Sequence, residues 1–245
     1  MPFVRAARGS RFIGGGALMR AAQFTQTNNE YLSVATSADV VGAAAGCWRA
    51  AYVRVDSLPS AVENMTVFST RATNTGMWLV GNTGSDKWEV FAYDATGNGS
   101  AAWGTAMVVD TWYFIVFGYD GTDIYISVDD GADVTTTDGF DPGAGACDVG
   151  GRAAVTNLDG RVQSLCGGDG TLSAATRTWL KNAIEGREHG EVGSGTDAIV
   201  AADLKFWWNL DEFSDGSGAV TRSDLVGSND LIDNNTVTST TGLRG

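Results

Sequence analysis

The chain has 245 residues, 43% of them hydrophobic and 18% charged, with 33 glycines, three prolines and a net charge of −13. That composition excludes a disordered chain. So acidic a surface excludes bulk nucleic-acid binding, because it repels phosphate. An all-β chain of this length is expected to form one domain, and a unit this size buries roughly 70–75% of its extended surface without staples.

Residues 1–20 hold Arg5, Arg8, Arg11 and Arg20, and the first acid is Glu30. No apolar stretch of about 7–15 residues follows the arginines, so the pattern predicts no signal peptide. Gly14-Gly15-Gly16 adds flexibility. The stretch reads as a basic arm ahead of a single domain over residues 21–245. Two uses are open: docking of Arg5, Arg8, Arg11 and Arg20 on an acidic partner such as a neighbouring copy, or a frayed terminus.

From Ala22 to Asp169 short β segments are punctuated by turns. Strands are expected at Gln23–Phe24, Tyr31–Val34, Cys47–Val55, Thr66–Thr70, Met77–Val80, Trp88–Tyr93 and Trp112–Tyr119. Others follow at Ile124–Val128, Val134–Thr137, Cys147–Gly150 and Arg161–Cys166. This spacing signals a sandwich or barrel. The run from Trp112 to Phe117 is apolar at every position, as suits a strand buried on both faces, and it is too short to cross a bilayer. Asp120-Gly121 and Asp130-Gly131 mark hairpins, since both central residues of a type I′ turn need positive φ. One helix is expected after the N-cap Ser173, with Trp179, Leu180 and Ala183 as its apolar stripe and Gly186 at its C-terminal cap. A helical turn is expected in Asp197–Ala202. Leu204 to Leu210 returns to strand pattern with Phe206, Trp208 and Leu210 on one face. The polar tail Gly227–Gly242 reads as edge strands and turns.

Catalytic options are narrow. A Ser-His-Asp triad would have to use His189, the chain's one histidine, and that residue sits in a loop-like charged stretch. Zinc is poorly served by three cysteines without a C-x-x-C pair. Cys47, Cys147 and Cys166 read as buried thiols suited to a reducing compartment, with a Cys147–Cys166 bridge left open. No phosphate-binding glycine motif is present.

In this order the segments resemble a known family. Ala21-Ala22-Gln23-Phe24 with Tyr31-Leu32-Ser33-Val34 resembles the opening "A-x-x-F…Y-L-x-V" of laminin-G-like domains, members of the concanavalin A-like lectin/glucanase superfamily. Trp112-Tyr113 with Tyr125-Ile126-Ser127-Val128-Asp129-Asp130-Gly131 resembles its "W-x-x-V…L-Y-V-D-G" pair. Asp159-Gly160-Arg161-Val162 resembles "F-x-G-R-I-D", and Leu172-Ser173-Ala174-Ala175 resembles "L-S-x-x-E". The block from Phe206 to Glu212, then Asp224 to Leu231, resembles "W-x-L-D-E…D-S-x-G-x-x-x-L". In the family that block opens the domain; here it closes it. Circular permutation or strand exchange with a neighbouring copy would both explain this, and permutation is favoured because an intramolecular partner has no association entropy to overcome. The resemblance thus implies an all-β fold: a concanavalin A-like jelly-roll sandwich of two antiparallel sheets with one short helix, its C-terminal strands (203–241) completing the sheet.

The resemblance also sets the functional expectations. Hydrolases of the superfamily carry E-x-D-x-E, which aims acids at one face of a strand. No such strand occurs, and Asp211-Glu212 are adjacent, so no enzymatic activity is expected. Calcium could be held by Asp120, Asp123, Asp130 and Asp133, although Asp is also the ordinary turn residue. Glycans would stack on Trp103, Trp78, Trp88 or Trp207, with core packing the alternative. Trp103 stands out because Ala101-Ala102-Trp103-Gly104 reads as a loop. The function expected is a non-enzymatic virion structural or decoration protein, of the kind found in tailed bacteriophages. It would be assembled in the host cytoplasm, dock on a capsid or other virion protein, form a homo-oligomer, and touch glycans. The alternatives are a carbohydrate-binding lectin module of a bacterial protein and a glycoside hydrolase. No nucleic acid, membrane or cofactor other than calcium is expected.

Overall fold

The computed structural model describes residues 20–35, 37–59, 63–143, 145–152, 156–186, 203–212 and 220–242. Strands are numbered in chain order. The first sheet runs β10 (Val134–Thr137), β9 (Asp123–Val128), β8 (Trp112–Tyr119), β3 (Cys47–Val55), β12 (Gly160–Asp169), β1 (Arg20–Phe24), β16 (Thr238–Thr241). In it β13 (Leu204–Trp208) shares one edge of β12 with β1. The second sheet runs β14 (Thr221–Arg222), β15 (Leu231–Asn234), β2 (Tyr31–Val34), β11 (Cys147–Val149), β4 (Met65–Ser69), β5 (Gly76–Asn82), β6 (Lys87–Asp94), β7 (Gly97–Ala106). Every pairing between these strands is antiparallel. Among the described residues there are two α-helices, α1 (Ala38–Val41) and α2 (Ala174–Gly186).

Period-2 alternation sends one face of each strand between the sheets. Val53, Ile115, Phe117 and Ile126 of the first sheet share a buried cluster with Phe68, Leu79, Trp88 and Val90 of the second. The other face of the first sheet is buried too. Trp48, Tyr52, Phe114, Val116, Tyr125 and Trp207 pack with Leu172 and Leu180 beneath α2. This explains a β8 strand apolar at every position: Ile115 and Phe117 face the sheet interface while Phe114 and Val116 face the helix. Ser173 caps α2, its Oγ accepting the Thr176 N–H at 3.1 Å, and Gly186 is the last helical residue rather than the one beyond.

The three-stranded meander over 112–137 is present, but its turns are displaced from the expected pairs. The first is Gly121–Thr122, closed by the Asp120 N–H donating to the Asp123 carbonyl at 3.1 Å, with Gly121 at φ 99. In the second, Asp129 and Asp130 take the positive φ values, 53 and 62, and Gly131 donates back to the Val128 carbonyl at 3.0 Å. The Asp129 carboxylate accepts the Phe114 N–H at 2.9 Å, which holds the turn one residue earlier. Asp tolerates the left-handed region well enough to allow this. The expected helical turn at Asp197–Ala202 lies outside the described residues.

The final forty residues supply strands to both sheets of their own chain: β13 on β12, β15 on β2, and β16 on β1. Ser164, the extra residue of a bulge at φ 50, marks where β12 changes partner from β1 to β13 along one edge. All three cysteines are free and buried. Cys147 lies between the sheets and Cys166 beneath α2, so the Cys147–Cys166 bridge left open by the sequence is absent: the two thiols belong to different layers. Burial raises both thiol pKa values.

One ion pair ties the tail together. Arg222 and Asp233 both have fully buried side chains, with Nε to Oδ1 at 3.2 Å. The same guanidinium donates to the Glu212 carbonyl at 2.5 Å and the Val237 carbonyl at 3.4 Å. Burial lifts the Asp233 carboxyl above its ordinary value although Arg222 pulls it down. Removing one partner strands the other charge in the interior. Asp233→Ala is therefore expected to lower unfolding free energy by about 3–5 kcal/mol in urea titrations, and Arg222→Met with Asp233→Leu to recover most of that loss.

Candidate functional site

Strand register builds the site. One row of directly opposed residues crosses the outer face of the second sheet: Ile232, Ser33, Asp148, Ser69, Trp78, Phe91 and Ser100. A neighbouring row carries Thr66, Val80, Glu89 and Ala102. Tyr93 stands two residues beyond Phe91 on the same face. Among the described residues no helix roofs this face, in contrast to the first sheet.

The rings of Trp78 and Phe91 are 5.7 Å apart, and those of Phe91 and Tyr93 are stacked at 6.5 Å. Two arginines lie over them. The Arg71 guanidinium carbon is 4.3 Å from the Tyr93 ring centroid and 5.3 Å from that of Trp78. The Arg152 carbon is 5.8 Å from the Trp78 centroid. Each is within reach of a cation–π attraction. Trp78 is further fixed by its Nε1–H, which donates to Thr66 Oγ1 at 2.8 Å. These contacts leave Trp78 only 7% and Tyr93 8% exposed.

The electrostatics are uneven. Burial, then the like charge of Arg71, pulls the Arg152 pKa below the ordinary guanidinium value, opposed by Tyr93 and Asp148. Burial raises the Tyr93 phenol, and the two arginines pull it back only in part. Arg71 Nε is buried with no hydrogen-bond partner. Neither arginine forms an ion pair among the described residues. The carboxylates of the face are Asp148 on β11 and Glu89 on β6, and Glu89 already accepts from Asn82 Nδ2 at 2.5 Å. Three strand spacings separate β11 from β6, about 14 Å. Paired carboxylates of glycosidases stand about 5–9.5 Å apart. The two carboxylates of this face thus lie on strands further apart than a paired glycosidase set.

The expected residues fall out as follows. Trp78 is in the cluster. Trp88 and Trp207 are 1% and 0% exposed, one between the sheets and one beneath α2, so neither can stack on a sugar. Trp103 is not on a loop. It lies within β7, an edge strand whose composition, GNGSAAWGTA, offers little β propensity but which pairs with β6. Its ring packs against the core and over Gly131, where any Cβ would overlap it. It closes the edge of the sandwich. Arg5, Arg8 and Arg11 lie outside the described residues. Arg20 opens β1 and donates to Ser239 Oγ at 3.5 Å.

The four aspartates proposed for calcium are engaged separately. Asp120 accepts the Thr122 and Asp123 N–H groups, and Asp123 accepts the Thr137 hydroxyl. Asp130 pairs with Lys181 at 3.1 Å, and Asp133 takes a two-point contact from Arg177. Among the described residues no three His, Cys, Asp or Glu side chains converge on a metal position. Asp130, Asp133 and Arg177 line a cavity of about 340 Å³ between α2 and the β9–β10 turn, but their charges neutralise one another.

Phe91, Tyr93, Arg71 and Arg152 were missed in the sequence. The first two were legible: in Trp88-Glu89-Val90-Phe91-Ala92-Tyr93 they share one face, opposite Trp88, Val90 and Ala92. The arginines carry no local signal, because each lies past a strand end and only topology brings it over Trp78.

A scan against protein-family models finds no match, and neither does a search of curated proteins. Solved structures do match. The native heptameric SAP-like pentraxin of Limulus polyphemus aligns over 92% of this chain and 96% of its own, with a TM-score of 0.55 and 10% identity. Domains LG4-5 of the mouse laminin alpha1 chain align over 62% of this chain and 41% of theirs, with a TM-score of 0.48 and 13% identity. Domain 4 of an extracellular arabinanase from Geobacillus stearothermophilus, solved with arabinotriose, aligns over 58% of this chain and 68% of its own, with a TM-score of 0.49 and 14% identity. The chain thus spans about two fifths of the laminin fragment.

The fold is a concanavalin A-like jelly roll.

Within that fold the second sheet's outer face depends on one local anchor. Thr66→Val would leave the Trp78 indole N–H without its acceptor in a buried setting. We expect a loss of about 1–3 kcal/mol in chemical denaturation and a shifted tryptophan emission.

Proposed function

We propose that the protein is a non-enzymatic, lectin-like binding module whose outer second-sheet face takes saccharide. The observation that carries this is the half-buried Phe91 ring, backed by Trp78 and Tyr93, on a sheet face that no helix covers among the described residues, with the carboxylates of Asp148 and Glu89 on the same face. Aromatic edges and planar polar groups on a flat β surface suit pyranose rings, which present one apolar and one hydroxyl-rich side. A separation of about 14 Å between the face's carboxylates supports binding without turnover. Phe91→Ala and Tyr93→Ala should each weaken glycan binding about tenfold in calorimetry. Trp103→Phe should leave it unchanged, and no reducing ends should appear from any bound polymer. Release of reducing ends would overturn the non-enzymatic part of the reading.

A second reading adds to this one. Docking on an assembled surface, a capsid or another virion protein, is favoured by four arginines that precede the first carboxylate of a chain with net charge −13. A basic arm of that kind also suits the acidic body of a second copy. Cosedimentation with assembled capsids should be lost when residues 1–19 are removed, while glycan binding persists.

A further inference from the structure

We infer that the saccharide taken by this face carries an acidic substituent, a carboxylate or a sulfate, which seats between Arg71 and Arg152. The inference rests on the reading that the face binds saccharide, and it names the class. Three observations point to it together.

The first is placement. Both guanidiniums lie against one indole, at 5.3 and 5.8 Å from the Trp78 centroid, and Arg71 is also 4.3 Å from Tyr93. Contact with the rings restrains both side chains, so less rotamer freedom is left to lose when an oxyanion arrives. The second is unused capacity. Arg71 Nε is buried without an acceptor, and an orphaned buried donor is costly unless a ligand or water meets it. The third is charge. Two cations share the site with one nearby carboxylate, Asp148, while Glu89 is bonded to Asn82. The arginines repel each other, and an anion between them would relieve that repulsion. Other exposed or half-buried cations of the chain meet carboxylates: Arg54 with Asp56 and Asp110, Arg161 with Asp56, Arg177 with Asp133, Lys181 with Asp130, and Lys205 with Asp169. Arg71 and Arg152 meet none among the described residues.

The same features argue against direct sugar stacking on Trp78. Its ring is 7% exposed and capped by guanidiniums, so the arginines form the outermost layer of the site. Sugar rings would then lie along Phe91 and Ser100, with the acidic group reaching Arg71 and Arg152.

The test is an array of neutral glycans matched with their sialylated, uronate-bearing or sulfated counterparts, followed by calorimetry on the best pair. We expect the acidic member to bind and its neutral partner to bind at least about tenfold more weakly. Arg152→Gln and Arg71→Gln should each cost about tenfold or more for the acidic glycan, and Arg152→Lys should retain part of the affinity. Melting temperatures near wild type for the Arg152 variants would confirm that they are folded; that side chain is partly exposed at the surface. Equal binding of neutral and acidic members, indifferent to both arginine variants but lost in Phe91→Ala, would overturn the acidic class and leave saccharide binding standing. Acidic-glycan binding untouched by either arginine variant would overturn the assigned seat. Absence of any glycan binding, or binding of polyglutamate alone, would overturn both.

Discussion

Pairing between the two ends of the chain governs this structure. β15 lies against β2 in the second sheet, and β16 lies against β1 in the first. Side chains reinforce the seam: Asn234 Nδ2 donates to Ser33 Oγ at 2.9 Å, and Asn235 Nδ2 to the Asn29 carbonyl at 2.9 Å, across more than two hundred residues. Contacts this distant form only after a large loop has closed, so they reward folding late. They also spare β1 and β2 from becoming sheet edges with open hydrogen-bonding groups. The buried Arg222–Asp233 pair sits within this seam. An interior ion pair gives little net stability, but a misplaced one is costly, so it selects the correct docking of β14 and β15 over alternatives.

The two sheets then part in role. The outer face of the first carries large rings that pack beneath α2. The outer face of the second also carries large rings, yet a bare aromatic band on a flat sheet would be an aggregation hazard. Arg71 and Arg152 resolve that tension. Their guanidiniums lie over Trp78 and Tyr93 and so cover apolar area with charged groups. The covering that hides the rings is the same covering that gives the face donors.

How much of this was legible in the sequence follows from what each feature depends on. Alternation within a strand is local, so β2, β3, β8 and β10 were readable to the residue, and Phe206 and Trp208 were placed on the correct face. The cap at Ser173 was readable because an N-cap is a one-residue signal. The second turn was displaced by one residue because Asp129 uses its carboxylate on Phe114, a contact between strands that no turn rule contains. β7 was missed because its glycines and alanines carry no β signal and pairing with β6 alone makes it a strand. Trp103 was favoured for its loop-like surroundings, whereas burial decides the tryptophans: Trp88 and Trp207 fill cores, Trp103 packs over Gly131 at an edge, and of the four Trp78 belongs to the candidate face.

Net charge narrows what such a face can accept. A body at −13 repels a dense polyanion along its whole length, and most cations elsewhere among the described residues are already neutralised by carboxylates. At physiological salt that repulsion decays over about 8 Å, while two guanidiniums in contact with an oxyanion are barely screened. A ligand that concentrates its charge at one point therefore gains the local attraction and avoids most of the distant penalty. A mostly neutral chain with a single acidic group has that distribution, and a nucleic acid does not. On the proposed reading, the acidity of the body and the basicity of the site would act together as a filter on charge spacing rather than on charge alone.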